Sequence, residues 1–267
     1  MAQRLPASLP SVTQERRLLE NSEEEPVEDR APKDIAETLR TDPRGTQKED
    51  RARVWTFLQN SEGWNTANPT LWLLGADEAL GWLRGAEQVP AEVETGLCAL
   101  VLAPNLPASL REYALQHLGL WAEEHTASPS VLDAFKQAFL LEQTSRLAGI
   151  ALTVLYRSCF GSQETMWIQK HALQLASSTR AQPVSRAAAL QVLALTNTED
   201  AEPIARSFLS TTATIDEKIA ALQVLRRVGT PETLGWLAAC KEEREPLTAE
   251  AQRQTLQTLR ARWTAAN

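Results

Sequence analysis

The sequence predicts an all-α fold, a solenoid of paired helices behind a disordered acidic leader, and three observations carry that prediction. A short apolar motif returns five times, as Ala114–Leu118, Ala151–Leu155, Ala189–Leu193, Ala221–Leu225 and Thr255–Leu259, with successive starts 37, 38, 32 and 34 residues apart. A helix that recurs at this period cannot bury its apolar face alone and must stack on its neighbours. No stretch alternates apolar and polar residues long enough to suggest a sheet. The first 50 residues hold 8 Lys/Arg against 12 Asp/Glu, are interrupted by Pro6, Pro10, Pro26, Pro32 and Pro43, and lack aromatics. Such a segment buries too little apolar area to offset its ordering entropy. Within it, Gln14–Asn21 and Asp34–Arg40 are short enough to be transient or docked helices. The expected organisation is therefore a leader over 1–50 and a solenoid over 51–267, clearest over 180–265.

The helices follow from apolar spacing and caps. Val54, Trp55, Phe57 and Leu58 lie close to a single face and predict a helix over Arg51–Asn60. Asn68-Pro69 reads as a cap with proline in the first turn, launching Thr70–Arg84 with Leu71, Leu74, Leu80 and Leu83 inward. Pro90 opens a helix that ends near Ala103, where Pro104 and Pro107 mark a turn into Pro107–Glu124. Four more pairs are expected: Ser130–Glu142 with Thr144–Ser158, Gln163–Ser178 with Val184–Thr196, Asp200–Ser210 with Asp216–Val228, and Pro231–Cys240 with Thr248–Trp263. At Thr230-Pro231-Glu232-Thr233 a hydroxyl, a proline and an acid meet the exposed amides of a first turn.

Composition excludes several classes of protein. Apolar runs such as Leu97–Ala103 fall far short of the roughly 18 residues that a membrane helix needs. Of the formal charge of −7, the residues after 50 contribute 19 Lys/Arg against 22 Asp/Glu, so the body is nearly neutral and nucleic-acid binding is not expected. Cys98, Cys159 and Cys240 are too far apart for a zinc knuckle or a redox pair, and buried free thiols are the expected state. The start shows no basic stretch followed by an apolar run, which predicts a cytoplasmic protein. The alternative is an exported chain whose native signal peptide was removed and replaced by a new methionine.

Pro183-Val184-Ser185-Arg186, leading into Ala189-Leu190-Gln191-Val192-Leu193 and then Glu199-Asp200-Ala201-Glu202-Pro203-Ile204, resembles a HEAT repeat. Asp216–Leu225 followed by Gly229-Thr230-Pro231-Glu232 resembles the next, with the short Gly-containing turn of phycobilin-lyase-type HEAT-like repeats. The likeness is good over 180–265, fair over 90–180 and poor before that. It implies a right-handed α-α superhelix of the armadillo type that binds partners, with no shared catalytic residues to carry over. It also implies that the second helix of each pair lines a concave surface, and that Arg111, Arg186 and Lys218 serve structural contacts between neighbours.

With about 100° per residue, the two motif leucines, the preceding alanine and the valine between them occupy one buried arc. The residue after the first leucine then forms an exposed ridge of Gln116, Thr153, Gln191, Gln223 and Gln257, with Tyr156, Arg226 and Arg260 one turn onward. Amides and arginines suit backbone and carboxylate groups. Exposed glutamine is also simply a good soluble helix former, and that reading stays open. From this ridge, Gln191, Gln223, Arg226, Gln257, Arg260 and Tyr156 are the partner-binding candidates. Most of the eight tryptophans suit core packing, with Trp64 and Trp263 at the ends as further anchors.

Catalysis has little support: the three histidines are isolated in sequence, and no nucleophile-elbow, dinucleotide, phosphate-loop or zinc-protease spacing occurs. No cofactor or metal is expected. The expected function is a non-enzymatic scaffold that binds a protein or peptide partner on its concave face. The alternatives are a HEAT-like enzyme of the chromophore-lyase or DNA-glycosylase kind, and a structural assembly protein.

Overall fold

The computed structural model describes residues 32–60, 69–159, 164–210 and 213–264. Among them are thirteen helices and no strand, so the chain is all-α. The helices are α1 Lys33–Thr41, α2 Lys48–Gln59, α3 Pro69–Arg84, α4 Pro90–Leu102, α5 Ala108–Glu124, α6 Pro129–Leu141, α7 Arg146–Ser158, α8 Thr165–Ser177, α9 Pro183–Thr196, α10 Thr198–Ser210, α11 Ile215–Val228, α12 Pro231–Ala239 and α13 Pro246–Thr264. Every helix expected after residue 50 is present to within about one turn. None is long and apolar enough to cross a membrane among the described residues. The chain divides into two compact units, Met1–Ala134 and Phe135–Asn267.

In the first unit α1 packs on α2 and α3, α2 on α3 and α4, and both α3 and α4 on α5. The docked helix expected as one option over Asp34–Arg40 is present as Lys33–Thr41, which buries Ile35, Ala36 and Thr38, so the disorder expected to residue 50 does not hold over this stretch. What holds it lies forty residues on. The Trp82 indole N–H donates to Asp42 O at 2.6 Å, and Gln88 Nε2 donates to Gly45 O at 2.6 Å. Gly45 adopts φ +59, the left-handed region that favours glycine. The buried Arg51 closes the corner, donating from Nη1 to Gly45 O (2.8 Å) and Thr46 O (3.0 Å) and from Nε to Glu92 Oε1 (3.0 Å). Charge and proline content predict disorder only when no such partner is in reach. Residues 1–31, including Gln14–Asn21, lie outside the described residues.

In the second unit α7, α9, α11 and α13 pack side by side in chain order. Helices α8, α10 and α12 lie against them, each on the second helix of its own pair. The core runs between these rows, through Leu152, Leu155, Leu190, Leu193, Phe208, Leu222, Leu225, Leu237 and Leu259. Close packing begins at Gly149, where an added Cβ would sit 2.8 Å from Ser185 Cα, so α7 and α9 meet nearly backbone to backbone. Ser185 Oγ donates to Ser145 O at 2.7 Å in the same interface, and Thr255 Oγ1 donates to Leu222 O at 3.1 Å between α13 and α11.

The basic positions four residues before the motif leucine make structural contacts. Arg111 Nε donates to Val101 O (3.0 Å) and Arg186 Nε to Ala176 O (3.4 Å), in each case a carbonyl ten residues back at the end of the preceding helix. The last carbonyls of a helix lack intrahelical partners and carry its negative pole, which is why a cation fits there. Arg186 also places Nη1 2.6 Å from Oε1 of the buried Glu217 and lies 4.5 Å over the Phe208 ring. Lys218 pairs instead with Glu243 at 2.9 Å.

Glu202 ties α10 to the start of α12. Its Oε1 accepts from Thr230 Oγ1 (2.9 Å), from Arg206 Nη2 (2.7 Å) and from the Thr233 hydroxyl. Burial alone would raise this carboxyl, but the Thr233 and Thr230 hydroxyls and the Arg206 guanidinium outweigh burial and hold it below its ordinary value of 4.5. A carboxyl depressed in the folded state stabilises above its unfolded pKa, and that contribution is lost as pH falls through the folded value. Glu202→Gln is therefore expected to lower the melting temperature at pH 7. Melts from pH 7 to 3 should show the gap to wild type closing only below about pH 4.5. A gap that stays constant to pH 3 would contradict the assignment.

Candidate interaction surface on the second unit

The ridge read from the sequence emerges gradually along the row of second helices. On α7 it is absent: Thr153 is 6% exposed and Tyr156 8% exposed, which corrects both as surface residues. The reason is helix spacing. Gly149, Thr153 and Tyr156 recur at four and three residues, on the face that Gly149 brings against α9, and Thr153 Oγ1 turns back to donate to Gly149 O at 2.9 Å. Tyr156 is accordingly a packed residue. Burial pushes its hydroxyl above the ordinary tyrosine range, with the Arg227 charge offsetting part of the rise.

On α9 the ridge is half-buried at Gln191, and on α11 and α13 it is exposed at Gln223 and Gln257. Gln191 Nε2 donates to Gln223 Oε1 at 3.4 Å, so the amides of α9 and α11 meet. One turn beyond Gln223 and Gln257 stand Arg226 and Arg260, both exposed. The register between their helices is set by Thr255 on Leu222 O and, at the other end, by Arg262. The Arg262 guanidinium donates to the carbonyls of Arg226 (2.6 Å), Arg227 (3.1 Å) and Gly229 (3.5 Å). Of the six candidate residues, Gln191 and Gln223 touch across neighbouring helices, Gln223, Arg226, Gln257 and Arg260 are exposed, and Tyr156 is buried.

Other candidates are placed differently. Gln116 is half-buried on α5 of the first unit. Trp263 is half-buried against the cluster of Leu222, Leu237 and Leu259, and its indole N–H donates to Gly229 O at 3.1 Å, so it closes the end of the core instead of standing out from it. Trp64 lies outside the described residues. Cys159 is buried, whereas Cys98 and Cys240 are only half-buried. Burial, helped by Glu94, pushes the Cys98 thiol up to about 11, which leaves it protonated and weakly nucleophilic near neutral pH.

The histidines are less isolated than the sequence shows. His117 Nε2 lies 2.9 Å from Asp77 Oδ1, a pairing between α5 and α3 across forty residues. His125 stacks on Trp121 at 3.7 Å and bonds through Nδ1 to its carbonyl, and His171 repeats the arrangement on Trp167 at 3.9 Å. Residues four apart on a helix share a face, so each Trp-x-x-x-His pair packs as one block. Among the described residues no group of three His, Cys, Asp or Glu could hold a metal ion.

In comparisons with known protein families, with curated proteins and with solved structures, nothing matches the chain.

Proposed function

We propose that the chain is a non-catalytic HEAT-like solenoid, a right-handed superhelix that binds a protein or peptide along the exposed side of its second helices. The observation that carries this reading is the Gln191–Gln223 amide contact at 3.4 Å, with Gln257, Arg226 and Arg260 exposed on α11 and α13. Side-chain amides offer both donors and acceptors, as a peptide backbone does, and arginine adds a planar fork for carboxylates. The order of the row supports the solenoid, because α9 touches α7 and α11, and α11 touches α9 and α13, as stacked repeats do.

The test is an affinity capture with the full chain and with the double variant Arg226→Glu, Arg260→Glu. Reversing charge at exposed positions costs little stability, while like charges across an interface cost several kcal/mol. The variant is expected to keep the wild-type melting temperature within about 2 °C and to lose the captured partner at least tenfold. Undiminished capture would place the binding surface elsewhere.

A further inference from the structure

We propose that the C-terminal ends of α11 and α13 form a basic corner that recognises a carboxylate-rich peptide segment. The proposal rests on the interaction surface described above and names the chemistry of what it binds. Charge is divided unevenly along the chain: residues 1–134 hold 12 Lys/Arg against 22 Asp/Glu, whereas residues 135–267 hold 15 against 12. Much of that surplus is local. The stretches 219–228 and 254–264 contain Arg226, Arg227, Arg260 and Arg262 and no Asp or Glu.

Capping of helix ends explains one of the four. Arg262 alone spans the carbonyls of Arg226, Arg227 and Gly229, so the end of α11 already has its cation. Arg226 and Arg227 stand exposed beyond what the cap requires, with Arg260 exposed on the adjacent helix. Next to Gly229, the carboxylate of Glu202 is taken up by Thr230, Thr233 and Arg206, and Glu232 is exposed in the first turn of α12. Arg253 is paired with Glu250 and Glu242 and stands apart from the corner.

Carboxylates suit the corner better than phosphates. A duplex carries one charge about every 1.7 Å and would extend over the rest of a chain whose net charge is −7. Stacking of single-stranded bases needs exposed aromatic faces, and here Trp263 is half-buried in the terminal core. A short acidic peptide needs only the local field, and Gln223 and Gln257, one turn before Arg226 and Arg260, stand ready to pair with its backbone.

Fluorescence anisotropy of the full-length protein with three labelled probes tests this: octaglutamate, octaglutamine and an eight-nucleotide single-stranded DNA. Octaglutamate is expected to bind at low salt at least tenfold more tightly than either other probe. The variant Arg226→Glu, Arg227→Glu, checked for unchanged helicity, should weaken it at least tenfold. Repeating the titration on Glu23→Gln, Glu24→Gln, Glu25→Gln tests whether the chain's own acidic run competes. If octaglutamate binds neither protein, or binds no better than octaglutamine or DNA, the proposal is overturned. Capture of a partner that is lost on Arg226→Glu, Arg260→Glu would then still stand as evidence for the surface itself, which separates the two outcomes.

Discussion

Leu190→Ala and Leu222→Ala are each expected to lower the unfolding free energy by about 2–5 kcal/mol, because truncation of a fully enclosed leucine removes its transfer free energy and leaves a cavity. Both side chains are enclosed, at 0% and 1% exposure, in successive second helices of the row. Leu222 belongs to the terminal cluster with Leu237 and Leu259, where Leu234, Trp236, Leu256 and Trp263 are only partly buried. Those neighbours can relax into a void more readily than the enclosed surroundings of Leu190. The larger loss is therefore expected at Leu190, and chemical denaturation followed by circular dichroism measures both. Losses below about 0.5 kcal/mol would show that the apolar arc has been assigned to the wrong side of the helix.

Gly149→Leu is expected to cost about 3 kcal/mol, even though leucine is the better helix former by most of a kcal/mol. The added Cβ falls 2.8 Å from Ser185 Cα and 3.2 Å from its Cβ, and a backbone atom cannot swing aside as the end of a long side chain can. Relief requires α7 and α9 to separate, which stretches the 2.7 Å bond from Ser185 Oγ to Ser145 O. Gly149→Ala meets the same clash with a smaller group and is expected to lose about 1 kcal/mol net. Gly235 has nothing within 4 Å of an added Cβ, so Gly235→Ala is the control and should stabilise. A stabilised Gly149→Ala would mean that the two helices are not held in close contact.

The helices were legible because their signals are local. Thr230 caps Thr233 N at 3.3 Å, Thr214 and Glu217 form a reciprocal capping box, and prolines open α4, α9 and α12. The motif leucines marked the buried arc for the same reason, since 3.6-residue periodicity is a property of one helix. What stayed hidden depends on two segments at once. The short helix over Asp34–Arg40 was legible as an option, but the contacts of Trp82, Gln88 and Arg51 with the Asp42–Gly45 turn that follows it were not. The ridge failed at Thr153 and Tyr156 because a helical wheel gives directions and not distances, and only the Gly149–Ser185 approach decides that this side of α7 is covered. His117 and Asp77 likewise carry no mark in sequence that they meet. The candidate surface was legible as glutamines at a repeated position with arginines one turn on. The contribution of Arg227 and Arg262 to its charge appears only when the ends of α11 and α13 are brought together.

The bonds from Arg111 to Val101 O and from Arg186 to Ala176 O also bear on how the chain assembles. Each closes a loop of ten residues, and the links between neighbouring helices of the second unit close larger loops, of 40 residues for Ser185 with Ser145 and 33 for Thr255 with Leu222. Closing short loops costs little entropy, and chains dominated by such contacts reach their native state quickly. A helical hairpin clipped by its own arginine can therefore serve as a nucleus at more than one place along the sequence.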